Sequence, residues 1–329
     1  MATKRNVETA QALWYTAPGR AEIHEEKLAA PGPAEVRVRA LYGALSRGTE
    51  SLVLSGRVPQ SEYGRMRGPF MGGNFPFPVK YGYATVGEVE AGPAEMVGRM
   101  VFTLHPHQTH FNVPLDAAVP LPHAVSPQRA VLTANMETAL NAVWDASPSA
   151  ADRIAVVGAG AVGAMVAFLC GRLPGAEVTL VDVNPARAEL ARQLDVDFSK
   201  PDSAKGDCDV VFHASGNAAG LETAISLAGD EAVVLELSWY GDTPVAIALG
   251  GGFHSRRLQL ISSQVGKIAQ SHRPRWTHRR RLAAALALLA DTRLDALLAP
   301  AVPFRDLPKR LPGLFQPSNG AIAQLISYA

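Results

Sequence analysis

The chain has 329 residues, 47% of them hydrophobic and 19% charged, with a formal net charge of +1. That length leaves room for two packed cores, and the near-neutral balance excludes a global pull toward nucleic acid or an anionic membrane surface. Cys170 and Cys208 are too few for a disulfide framework or a four-cysteine zinc lobe, and Cys170 reads as a core filler.

The opening "MATKRNVETAQALWY" carries a basic pair and then turns polar, without the apolar core of a secretion signal, so a cytoplasmic protein is expected. The first third is rich in Pro and Gly. Short segments such as "QALWY", "AEIHEEK" and "EVRVRALY" predict antiparallel strands, with Val36 and Val38 on one face and Arg37 and Arg39 on the other. "ATVGEVEA" and "RMVFTL" continue this pattern between frequent turns. The texture changes at Ser126, which reads as the N-cap of a long helix with Pro127 at its first position. Strands and helices then alternate through "RIAVVGAG", "AVGAMVAFLCGRL", "EVTLVDV", "PARAELARQL", "CDVVFHASG", "AAGLETAISLA" and "EAVVLELSW", as in a parallel sheet built from βαβ units. "TPVAIALGGGF" is expected as an edge strand that extends the sheet across a two-fold axis, which predicts a homodimer. From Leu258 the alternation stops. A helix at "HRRRLAAALALLAD", a Pro-rich stretch and a strand at "GAIAQLISY" end the chain. The expected organisation is a β-rich catalytic part, residues 1–125 and 265–329, around a nucleotide fold of residues 126–264.

From Ile154 to Gly171 the chain is uncharged and reaches the lower length of a membrane span. Gly158, Gly160 and Gly163 interrupt that run at the passage from strand to helix, which argues against a span. The spacing is G-x-G-x-x-G. The first glycine allows a tight turn, the second lets a diphosphate approach the backbone, and the third lets helix and strand pack closely; Ala161 and Val162 complete the helix N-terminus offered to the phosphates. The next strand ends on Asp182, followed by Val183, where an acid accepts hydrogen bonds from ribose hydroxyls. An acid there favours NAD over NADP, while Arg187 leaves NADP open.

On "PGPAEVRVRALYGALSRGTES", "YGYATVGEV", "VGRMVF" and "DVVFHASGNAAGLETAI" the chain resembles the medium-chain dehydrogenase/reductase superfamily over nearly its whole length. "LSRGTE", "HPHQ" and "SWYG" resemble most the group around hydroxyethyl bacteriochlorophyllide dehydrogenase. The resemblance implies an α/β fold: a GroES-like β-rich catalytic domain plus a Rossmann domain with a doubly wound parallel sheet. It also implies a nicotinamide cofactor with Thr138, Ser215 and Gly216 beside it. Alcohol dehydrogenases of this superfamily hold a catalytic zinc, yet the matching positions here are Ser46 (or Arg47), Tyr83 and Ala134, with Ala84 in place of a glutamate. Zinc takes thiolate, imidazole or carboxylate, so a member without zinc is expected. His105, His107 and His110 in "HPHQTH" are the remaining metal-like group; they read as a strand end, with His107 as a pocket residue.

Without a metal, a hydroxyl or an acid must handle the proton. Tyr83, at the lost histidine position, is either a hydrogen-bonding phenol or an aromatic wall. Thr49 and Glu50 match the pair that follows the first ligand in the family, making Thr49 a proton relay or a turn cap. Glu137 is either an acid or a charge at a helix N-terminus. Arg256, Arg257, Lys267, Arg273, Arg275 and Arg279 to Arg281 need an acidic answer, from internal carboxylates or from an anionic substrate. Trp276 among them is not enough for nucleic-acid binding. The function expected is zinc-independent, NAD(P)-dependent interconversion of a secondary alcohol and a ketone on a bulky or acidic small molecule. Reduction of a quinone or activated alkene, and a non-catalytic dinucleotide sensor, are the rivals.

Overall fold

The computed structural model describes residues 9–328; residues 1–8, the start of the segment read for a secretion signal, lie outside them. The chain opens with β1 (Thr9–Ala17), β2 (Arg20–Lys27) and β3 (Glu35–Leu45), then α1 (Arg47–Leu54), β4 (Gly72–Gly73), β5 (Val79–Lys80), β6 (Thr85–Ala91), β7 (Met100–Thr103), β8 (His110–Pro114) and β9 (Val119–Pro120). Val36 and Val38 are buried as their alternation requires. Arg37 is buried as well, against expectation, because its Nε donates to Asn112 Oδ1 at 3.1 Å and its Nη2 to the carbonyl of Ala29.

Ser126 caps α2 (Pro127–Ala130), its hydroxyl accepting from Arg129 N–H. The expected single helix is broken: α2 stops at Val131 and α3 (Thr133–Ala146) starts anew, with Thr133 Oγ1 donating to the Ala130 carbonyl at 2.6 Å. Then come β10 (Arg153–Val157), α4 (Ala161–Cys170), β11 (Glu177–Val181), α5 (Arg187–Leu194), β12 (Asp197–Ser199), β13 (Cys208–His213), α6 (Ala218–Leu227), β14 (Ala228–Glu236), β15 (Gln259–Ser262) and α7 (His278–Leu288). The chain closes with β16 (Leu298–Pro303), α8 (Leu307–Leu314) and β17 (Ala323–Ser327).

Two compact units result: residues up to Ala134 together with Leu298 onward, and Asn135–Leu297. These boundaries differ from the expected ones. Residues 265–297 pack with the nucleotide fold, where α7 buries Arg281, Leu282, Ala285 and Leu286. The first unit holds an antiparallel sheet ordered β2-β1-β5-β4 and a larger one ordered β16-β17-β3-β6-β7-β9, with β8 also on β3. The second unit holds a six-stranded sheet ordered β12-β11-β10-β13-β14-β15, parallel throughout. Its order reverses between β10 and β13, the place where open parallel sheets bind ligands.

The uncharged run divides into β10 and α4, and among the described residues no helix is long and apolar enough to cross a membrane. α4 is buried nearly all round, and burial pushes the Cys170 thiol up to about 12. The expected edge strand at "TPVAIALGGGF" does not form: residues 243–248 have no ladder partner, and β15 is the edge instead. Val245 and Ile247 are drawn down onto the core while their neighbours stay exposed, so the segment follows the surface of its own unit.

Candidate active site and coenzyme cradle

The cradle sits at the reversal point of the parallel sheet. Gly158 follows β10 with φ +107°, and a Cβ there would lie 2.7 Å from Ser215 backbone atoms. A Cβ on Gly163 would lie 1.9 Å from the Gly158 carbonyl oxygen, so only glycine lets α4 close on the turn. At Gly160 a Cβ would meet nothing within 4 Å, which is the open side a diphosphate needs. Gly160 is also the N-cap of α4 and gives no side-chain bond, so the first-turn amides of Ala161, Val162 and Gly163 receive none from it.

Asp182, just past β11, holds the turn from the side. Its Oδ2 accepts from Ala159 N–H at 2.7 Å and its Oδ1 from Asn184 N–H at 2.8 Å. A carboxylate oxygen can accept more than the one bond each of these takes here. Val183 is 79% exposed beside it, and Arg187 opens α5. Ser215 and Gly216 follow β13 and form the other wall. Thr138 lies half-buried on α3.

Three polar side chains near the cradle carry no role in the sequence reading: His213, Glu236 and Tyr240. His213 is fully buried; its Nδ1 lies 2.8 Å from Glu236 Oε2 and its Nε2 2.6 Å from Ser215 Oγ. They are recognisable only once β13 and β14 are placed side by side.

The first unit assembles the proposed catalytic side chains around one carboxylate. Glu50 on α1 is completely buried; it accepts from Tyr15 Oη at 2.7 Å, His107 Nε2 at 3.0 Å and the Ser46 N–H at 2.8 Å. His107 is also fully buried, with Nδ1 3.3 Å from Tyr328 Oη. The Ser46 bond fixes the start of α1 and so the hydroxyl that receives the Tyr83 phenol, 2.5 Å away. Burial pushes Tyr83 up to about 12, against its hydrogen bonds with Ser46 and Thr49, which pull it down. Burial likewise raises the phenols of Tyr15, Tyr81 and Tyr328. Ser46, Thr49, Glu50, Tyr83 and His107 are thus one cluster, joined by Tyr15 and Tyr328, which sequence reasoning missed.

The histidines of "HPHQTH" do not converge. His105 stacks on Phe111 at 3.8 Å between ring centroids, with Phe70 at 5.6 Å, and burial lowers it to about 3. His110 turns to Glu90 at 3.7 Å. Among the described residues no group of three or more His, Cys, Asp or Glu is arranged to hold a metal. Glu137 forms a buried ion pair with Arg281, Nε to Oε1 at 3.0 Å, and Arg281 also reaches Asn141 and the Val265 carbonyl. Other members of the basic group are also engaged internally: Arg256 donates to the carbonyls of Ala228 and Ile225, Arg257 pairs with Glu231 and Arg273 donates to Ile268. Arg280 stacks on Trp276, 4.0 Å from the ring centroid.

Fold and cradle together define an α/β protein with a GroES-like β-rich unit and a Rossmann unit, as in alcohol dehydrogenases. A short chain alcohol dehydrogenase from Escherichia coli CFT073, solved with NADH, superposes with a TM-score of 0.76 at 16% identity, over 98% of this chain and all of that one. Among curated sequences, a D-guloside 3-dehydrogenase of Escherichia coli strain K12 is 25% identical over 203 residues, 57% of this chain and 58% of that protein. An L-threonine 3-dehydrogenase of Rhizobium johnstonii is 29% identical over 117 residues, 36% of this chain and 33% of that protein. The chain therefore spans from a third to under three fifths of the curated relatives it matches. No family model matches the sequence.

Proposed function

We propose that the protein is an NAD(P)-dependent oxidoreductase that interconverts a secondary alcohol and a ketone without zinc, on a bulky or acidic small molecule. The observation that carries this reading is the glycine turn: Gly158 and Gly163 tolerate no side chain, Gly160 faces open space, and Asp182 lies beside them. Dinucleotide sites need that combination of bare backbone amides and a ribose-facing acid. The retained carboxylate supports NAD over NADP.

A nicotinamide bound there supplies or accepts the hydride. Proton handling falls to the first unit. Tyr83, with its pKa near 12, keeps its proton at neutral pH and donates to Ser46, so a phenol–hydroxyl pair stands where the resemblance puts zinc ligands. That donor set does not suit zinc. Thr49 flanks the phenol. Glu50 and His107 are positioning residues in this reading: being fully buried, they act by fixing Ser46.

Calorimetry with NAD+, NADH and NADP+, followed by a turnover screen read at the nicotinamide absorbance, tests the proposal. The expected result is NAD(H) binding and oxidation of a secondary alcohol. Tyr83→Phe should lower kcat by about a hundredfold with coenzyme affinity intact. Turnover of quinones or enones alone would replace the alcohol by an activated alkene, and tight coenzyme binding with no turnover would favour a sensor. No heat with any coenzyme would sink the reading.

A further inference from the structure

One stretch of the nucleotide unit is strongly basic and carries a group of packed aromatic rings. From Thr243 to Ala290 the sequence holds eight Lys and Arg and no Asp or Glu. Arg256, Arg257, Arg273 and Arg281 find carbonyl or carboxylate partners. Arg275 does not: among the described residues its guanidinium has no hydrogen bond, ion pair or ring contact. Arg280 gives one N–H to the Arg275 carbonyl at 2.6 Å and lies over Trp276, and among the described residues no carboxylate meets it. It stands in the first turn of α7, where a positive side chain opposes the helix dipole and gains from an anion alongside.

The two exposed arginines border a cavity of about 350 Å³ whose other lining residues are Ser271, His272 and Trp276. Its rings are half-buried and held from behind. His272 stacks on Trp144 of α3 with centroids 4.0 Å and planes 6° apart, and Trp276 packs against the same indole at 4.7 Å. The loop that carries them is tied to α3 as well: Asn141 Oδ1 accepts from Ala269 N–H at 3.1 Å, and Ser263 Oγ donates to Asp145 at 2.6 Å. A solvated basic face requires neither packed rings nor a tethered loop. Small-molecule sites have both, as preformed ring-lined walls with a few placed polar groups.

We propose that this cavity binds an organic anion that joins a carboxylate to an unsaturated ring, the carboxylate on Arg275 and Arg280 and the ring against His272 and Trp276. A guanidinium offers paired N–H donors matched to the two oxygens of a carboxylate. A small anion without a ring leaves the aromatic walls in water. A nucleic acid is disfavoured, because a net charge of +1 supplies no wider field to hold a polyanion. The site lies within one unit and does not depend on the glycine turn, so either reading can fail alone.

NMR of the indole N–H groups, of which the protein has four, tests the proposal. The Trp144 and Trp276 signals are identified by their loss in Trp144→Phe and Trp276→Phe. Benzoate should shift both saturably, and Arg275→Gln should bind it about tenfold more weakly, the loss of a charge-assisted pair, with the remaining amide spectrum unchanged. Benzamide has the shape without the charge; acetate and inorganic phosphate have the charge without the ring. Each should bind about tenfold more weakly than benzoate. No saturable shift with benzoate, or benzoate affinity undiminished in Arg275→Gln, overturns the proposal. Acetate or phosphate binding as tightly as benzoate would mark an unselective basic face, and benzamide doing so an apolar pocket; either result overturns it too.

Discussion

Each unit buries a carboxylate, and the two are answered by different means. Glu50, in the β-rich unit, is met by three separate donors: a phenol, an imidazole and a backbone amide. Glu137, in the nucleotide unit, faces the guanidinium of Arg281, whose remaining donors go to Asn141 and main-chain carbonyls. Burial still raises the Glu137 pKa despite that positive neighbour. An ion pair of this kind helps only while both halves are present. A carboxylate held by several separate donors spreads its dependence over several groups, among them the Ser46 amide.

Breaking the ion pair should give the largest effect. Arg281→Met leaves Glu137 buried without its partner and should cost about 3–5 kcal/mol in urea unfolding. Adding Glu137→Leu should recover most of that loss, and no recovery would show that the pair is not the cause. A third buried group, His105, has aromatic faces for neighbours, and its pKa falls from 6.5 unfolded to about 3 folded. The unfolded chain therefore takes up the proton first. Stability is full above pH 6.5 and declines as pH falls toward 3, by on the order of 4 kcal/mol. His105→Phe, which keeps the stack, should flatten that slope in urea titrations at several pH values.

Glu50→Leu strands three buried donors and should cost about 3 kcal/mol. Here the second substitution should not rescue: His107→Leu removes one donor, while Tyr15 and the Ser46 amide stay unmatched. Rescue comparable to that of the ion pair would erase the contrast between the two carboxylates. The smallest effect belongs to Asp182, half-exposed and held by amides. Asp182→Ser should weaken NAD+ binding about tenfold and NADP+ less, and equal losses in calorimetry would show that the acid does not read the ribose.

The nucleotide unit was legible because its instructions are local. The strand, the glycine spacing, the helix and Asp182 fall within one short stretch, and each residue acts through backbone geometry that its neighbours determine. The cluster around Glu50 is different. Ser46, Thr49, Tyr83 and His107 were reached through family resemblance, but Tyr15 and Tyr328 come from opposite ends of the chain and meet Glu50 only after β1 and β17 have found their places. His213 and Glu236 stayed hidden for a related reason, since each looks like an ordinary strand end until parallel pairing sets them opposite one another. At the break between α2 and α3 and at residues 243–248, which join no sheet, composition suits a helix or a strand but packing decides otherwise.

The grip of Asp182 on the glycine turn bears on the cost of capturing a ligand. With one oxygen on Ala159 and the other on Asn184, the carboxylate staples the turn to the following strand. A loop already held in one shape has little motion left to surrender on binding, so more of the contact energy survives as affinity. Removing the acid would therefore loosen the receptor as well as delete a contact, and the deficit should be largely entropic.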